Sequence, residues 1–176
     1  MIDIINESIV FKVSDDHKVQ TELFDDIGVL VVDNFYKNPD LIRKLIDDIP
    51  ATTHTNRGGY PAAAINVSYN MQPVVETYRH YIQTYFPNCL SDDYITSIMS
   101  QASFMINVMQ SDGNEYLPPH TDCPSTTNLA SGIFLNTPEN CSGGTSFFKD
   151  DKYLGYVKMK YNRMILYHQN VQHTAF

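Results

Sequence analysis

The sequence predicts an α+β fold, an antiparallel sandwich or small barrel carrying helices on one face. Helical periodicity is confined to the first half of the chain. After about residue 99 the chain breaks into short strand-like runs divided by turns. The length of 176 residues suits a single domain, 1–176, able to bury a core without disulfide or metal staples. Within it, 1–98 carries the N-terminal strands and supporting helices, and 99–176 carries the β core.

The elements follow in order. "SIVFKV" (8–13) reads as an opening strand, and the β-branched run "IGVLVVDNF" (27–35) as a strand that ends in a turn. "NPDLIRKLIDDI" (38–49) has helical logic: Asn38 caps, Pro39 occupies a position where a missing N–H is harmless, and Asp40 suits the positive end of the dipole. Leu41, Ile42, Leu45, Ile46 and Ile49 then share one face. "TTHTNRGGYPAAA" (52–64) reads as a loop. A second helix over 72–86 buries Val74, Val75, Tyr78, Tyr81, Ile82 and Tyr85 and stops at "FPNC". Strands are expected at 103–110, 129–136, 144–149, 153–159 and 163–168. In "CSGGTSFF", Gly143 and Gly144 permit the positive φ of a tight turn.

Composition excludes several classes. The net charge is −8 and the densest basic cluster is "KMK" (158–160), so no polyanion-binding surface and no nucleic-acid partner are expected. Cys89, Cys123 and Cys141 are odd in number and widely spaced, which suits reduced thiols in a cytoplasmic protein. The N-terminus lacks the pattern of a signal peptide, and no apolar stretch approaches the roughly 20 residues of a membrane span.

The informative segment is "NEYLPPHTDCP" (114–124). Pro118, Pro119 and Pro124 favour extended backbone around His120 and Asp122. Residues two apart in an extended strand point the same way, so the imidazole and the carboxylate are presented together, with Thr121 turned away. That is the arrangement a metal ion needs from two neighbouring ligands. A third ligand has two candidates in "RMILYHQNVQH", His168 and His173. Two histidines and one carboxylate leave open positions on one side of the ion, the pattern of non-haem Fe(II) oxygenases.

Taken together, "YLPPHTD", "ASGIFLNTPENCSGGTSFF" and "NRMILYHQNVQH" resemble the core of the 2-oxoglutarate/Fe(II)-dependent oxygenases, especially prolyl-hydroxylase-like members. "VVDNFYKNPDLIRKLI" (31–46) resembles the strand and helix that open many of them. The resemblance implies a double-stranded β-helix, a jelly-roll or cupin-like core with the N-terminal helices on one sheet. It implies Fe(II) on His120, Asp122 and His173, with 2-oxoglutarate and O2 as co-substrates; His168, where the family commonly has proline or another turn residue, is expected either to support the ligands or to be structural. The implied activity is hydroxylation of a peptide or small molecule, coupled to oxidative decarboxylation of 2-oxoglutarate.

The family usually holds the co-substrate carboxylate with a basic residue about ten positions after the distal histidine, a role that suits the planar fork of arginine. This sequence runs only to Phe176, so the expectation is either a truncated chain or a form without that grip. Arg163 and Arg57 are the substitute anchors, and Asn107 and Tyr116 are further candidates for co-substrate binding. Three other readings stand beside the oxygenase. One is a non-catalytic metal-binding pseudo-oxygenase or interaction module. Another is a zinc hydrolase or cupin-like enzyme with Glu115 as base. The last is a structural module in which His-Thr-Asp is only a turn.

Overall fold

The computed structural model describes residues 7–47, 63–65, 72–87, 89–91, 93, 104–106, 118–122 and 128–175. In chain order the elements are α1 (Glu7–Val10), β1 (Lys18–Phe24), β2 (Ile27–Asp33), α2 (Pro39–Asp47), β3 (Ala63–Ile65), α3 (Gln72–Tyr85), β4 (Phe104–Ile106), β5 (Leu129–Phe134), β6 (Gly144–Lys149), β7 (Lys152–Lys158), β8 (Arg163–His168) and β9 (Gln172–Ala175). The fold is α+β and its strand pairs are antiparallel.

Two sheets build the core. One has four strands in the order β1-β2-β8-β5, the other three in the order β7-β6-β9. The apolar run of β2 lies at the centre because both its faces are covered. Leu30 and Val32, with Met164 and Leu166 of β8, pack against Phe11, Phe35, Ile42, Val74, Tyr81 and Ile82 on the helical side. Val29 and Val31, with Ile165 and Tyr167, face Phe147 and Val157 of the smaller sheet. The molecule is therefore layered as helices, large sheet, small sheet, with a core in each gap.

Local chemistry fixes the corners. The β6–β7 hairpin pairs Lys149 with Lys152, and the intervening Asp150 and Asp151 have φ of 51° and 60°. Positive φ at both turn residues matches the right-handed twist of the strands, and aspartate tolerates it. The Lys149 ammonium reaches Asp25 at 3.0 Å and Asp26 at 2.8 Å, tying this turn to that of the β1–β2 hairpin. Buried Asn162 accepts a hydrogen bond from the Tyr36 amide (2.9 Å) and donates to the Tyr36 carbonyl (2.8 Å). Its own backbone bonds Phe35 and Phe134, so this one residue joins the ends of β2 and β5.

Several expectations need correction. Residues 8–13 do not form a strand: Glu7–Val10 is a helical turn, Phe11 enters the core and Val13 makes an isolated bridge to Tyr36. The alternation of Ile9, Phe11 and Val13 imitates a strand, but Ile9 is exposed on the helical turn and only Phe11 and Val13 pack inward. Strand β1 was not expected; its polar outer positions mask the alternation. Ala63 and Ala64 belong to β3 rather than to the preceding loop. Leu41 and Tyr85 are exposed, so the buried stripes of α2 and α3 are narrower than their periodicity suggests. Gly143 has φ of 95° as expected, but Gly144 is needed for a different reason, a close approach to the backbone of Val157.

Candidate metal centre

Strand β9 is shared. On one side it pairs with β6, placing His173 opposite Phe147. On the other it meets the extended segment at 118–122: the His120 amide donates to the His173 carbonyl (3.0 Å), and the His173 amide returns the bond to His120 (2.9 Å). Directly opposed residues of an antiparallel pair put their side chains on the same face. Pro119 carries no N–H, and the next ladder bond runs from the Asp122 amide to the Gln169 carbonyl at 3.2 Å. His120 and Asp122 thus share one side of their segment, opposite His173.

The ligand atoms of His120, Asp122 and His173 all lie within 4.8 Å of one another. The Asp122 carboxylate stands 3.9 Å from His120 Nε2 through one oxygen and 3.7 Å from His173 Nε2 through the other. These separations are too long for hydrogen bonds. Ligands on a common ion at about 2.1 Å stand roughly 3.0–3.4 Å apart, so seating one takes inward movements of about 1 Å. His173 forms the floor with its side chain 9% exposed; His120 and Asp122 form the rim at 31% and 40%. The open side faces solvent.

Both rings are set for binding through Nε2. His120 Nδ1 lies 3.1 Å from the Pro118 carbonyl, and His173 Nδ1 lies 3.0 Å from the Val171 carbonyl. A carbonyl oxygen only accepts, so each Nδ1 donates, and in the neutral ring the lone pair falls on Nε2. Burial holds the His173 imidazole below its ordinary pKa and His120 adds to this, against the Val171 hydrogen bond and the charge of Asp122. His173 is therefore neutral near pH 7, as a metal ligand must be.

The other sequence candidates fall elsewhere. His168 lies on the helical face of β8, its ring edge-on to Phe86 (5.3 Å between centroids) and 3.8 Å from Cys89 Sγ. The β8 ring beside the triad is instead that of its neighbour Tyr167, which the sequence did not point to. That ring packs against His173 (5.1 Å) and Phe147 (5.2 Å) from the opposite sheet. Burial, with Asp122 contributing, drives its phenol far above the usual pKa, so the hydroxyl stays protonated. Successive strand residues face opposite ways, and the apolar positions 164–166 conceal which parity points inward.

Arg163 is also corrected. Its Nε and one terminal nitrogen grip Asp33 at 2.7 and 3.1 Å, and the other donates to the Lys158 carbonyl at 2.9 Å. It stands four residues from Tyr167 along β8, roughly 13 Å away at about 3.3 Å per residue. A cavity of about 510 Å³ at that end, lined by Cys141, Lys158, Tyr161 and Arg163 among others, is likewise remote from the triad. Arg57, Asn107, Glu115, Tyr116 and Cys123 lie outside the described residues. Cys89 and Cys141 are free thiols. Among the described residues no helix is long and apolar enough to cross a membrane.

No curated protein and no solved structure matches the chain. A family of unknown function, DUF6445, matches residues 16–154, a span that includes His120 and Asp122 and stops short of His173. Since that match covers most of the chain, the protein belongs to the DUF6445 family.

Proposed function

We infer that the protein is a mononuclear non-haem Fe(II), 2-oxoglutarate-dependent oxygenase, its two sheets being the halves of a jelly roll. The observation that carries this reading is the convergence of His120, Asp122 and His173, with each imidazole Nδ1 against a backbone carbonyl and each Nε2 facing one carboxylate. Two histidines and a carboxylate suit Fe(II) and leave room for further ligands. Bound there with 2-oxoglutarate and O2, the metal supplies the oxidising chemistry, and the substrate class is a peptide or small molecule. The chain's own part is to hold and to shield. The β9 bridge fixes the spacing of the histidines, the two backbone carbonyls fix their tautomers, and Phe147 and Tyr167 keep water from the buried side.

One observation favours a second reading. The guanidinium of Arg163 is committed to Asp33, so it is not the anchor for a dicarboxylate. A centre that binds metal without gripping 2-oxoglutarate, a pseudo-oxygenase, is the alternative. Anaerobic titration with Fe(II) and then 2-oxoglutarate separates the two. An oxygenase gives a weak visible charge-transfer band that needs both additions and vanishes in His120→Ala. Metal binding with no band selects the pseudo-oxygenase. Absence of metal binding by the wild-type protein rejects both.

A further inference from the structure

The turn that joins β8 to β9, at 168–172, meets the candidate centre twice. Its Gln169 carbonyl accepts the Asp122 amide (3.2 Å), and its Val171 carbonyl accepts from His173 Nδ1 (3.0 Å). One turn therefore holds the backbone of one ligand and the ring of another. It is tied down in its own right. The Val171 amide closes it on the His168 carbonyl (3.1 Å), and the Gln169 amide bonds the Asn128 carbonyl (3.0 Å) just before β5.

The side chain at the root of the turn, His168, projects away from the triad into the helical layer. Phe86, buried just past α3, stands edge-on to the ring at 5.3 Å between centroids. Cys89 Sγ lies 3.8 Å from Nδ1 and 3.9 Å from Nε2. Near-equal distances to both nitrogens mark a packing contact, since one directed S–H bond would favour a single nitrogen. The two contacting residues form one bonded unit: the Cys89 amide donates to the Phe86 carbonyl (3.1 Å), and the Phe86 amide to Ile82 of α3 (2.9 Å).

Ligands that must close by about 1 Å onto an ion depend on the groups that aim them. We propose that His168 is a positioning residue of the metal centre: clamped by Phe86 and Cys89, its ring fixes where the chain leaves β8, and so places the two turn carbonyls that hold Asp122 and His173. The role rests on the metal-site reading above. It makes the helical layer part of the support of a centre to which that layer gives none of the three ligands. His168 acts through the backbone and is not itself a ligand.

The test measures Co(II) affinity, the visible cobalt spectrum and urea unfolding in wild type, His168→Ala, His168→Phe and Asp33→Ala. The last loosens the opposite end of β8 and controls for lost stability. The expected Kd rises about 10- to 100-fold in His168→Ala, the range for loss of outer partners of a metal ligand, and the cobalt spectrum changes shape. His168→Phe keeps a ring in the clamp and restores both. Asp33→Ala loses stability but keeps wild-type affinity and spectrum. Unchanged affinity and spectrum in His168→Ala would overturn the role while leaving the metal site standing. Equal weakening in His168→Phe would overturn it by showing that a ring nitrogen is what matters, and equal weakening in Asp33→Ala by showing a general loss of stability. If His168→Ala does not fold, the wild-type protein decides through iodoacetamide labelling of each thiol with and without Mn(II), a hard ion with little affinity for thiols. Slower labelling of Cys89 with Mn(II), at an unchanged rate for Cys141, supports the coupling; equal rates at Cys89 reject it. Failure of the wild-type protein to bind Co(II) rejects the metal site and this role together.

Discussion

Asp33 accepts two hydrogen bonds from Arg163 and one from Lys160 at 2.7 Å, and these, the Arg163 bond foremost, hold its carboxyl below the usual pKa of 3.8. Asp33→Ala removes the partner of a largely buried guanidinium and is expected to destabilise the protein by roughly 2–3 kcal/mol in urea unfolding. The sign of the pH effect follows from the depressed folded-state pKa. Between that value and 3.8 the unfolded chain binds the proton and the folded chain does not, so stability falls with falling pH across this window. The wild-type protein should show that loss below about pH 4, and Asp33→Ala should show less of it. At this scale the sequence was legible where covalent stiffness decided the outcome. Three prolines made the presentation of His120 and Asp122 readable, since they restrict the backbone whatever surrounds it. The roles of His168 and Tyr167 were not, because both faces of β8 are buried and nothing local marks which is which. Nor was the engagement of Arg163, whose partner lies 130 positions away.

Strands β6 and β8 begin and end where turn residues and β-branched or aromatic runs put them, and α3 ends at its proline. Elements failed where they depend on a distant partner. The bridge of β9 to the segment at 118–122 comes from tertiary pairing, and α1 shares its alternation with a strand. Glycine positions test the element scale directly. A Cβ on Gly144 would stand 2.2 Å from the Val157 carbonyl oxygen and 3.1 Å from Lys158 Cα, both backbone atoms that cannot swing aside. Gly144→Ala is therefore expected to cost about 3 kcal/mol. Because β6 also carries β9, it should weaken metal affinity as well. Gly28, on β2, has nothing within 4 Å of such a Cβ. Gly28→Ala should be neutral or stabilising by up to about 1 kcal/mol, since alanine loses less backbone entropy. Thermal unfolding of both variants beside wild type checks the contrast.

For the whole molecule, the layering places the candidate centre at one end of the inter-sheet core, on an edge that the segment at 118–122 completes. The layer count was legible from the order of helical and strand-like patterns. The pairing order β1-β2-β8-β5 was not, because it joins strands more than a hundred residues apart. Metal at the triad would join the 118–122 segment to β9 and so stabilise the folded state. At a free metal concentration of 100 times Kd the gain is about 2.7 kcal/mol, or roughly 5–10 °C in melting temperature for a chain of this size. His120→Ala should melt without that shift. The most direct measurement is equilibrium dialysis of metal-stripped protein against Fe(II) under anaerobic conditions, with bound iron counted per chain. One ion per wild-type chain, and none in Asp122→Ala or His173→Ala, is the expected result. No iron in the wild-type protein, or the same iron in both variants, would contradict the assignment of His120, Asp122 and His173 as a metal centre.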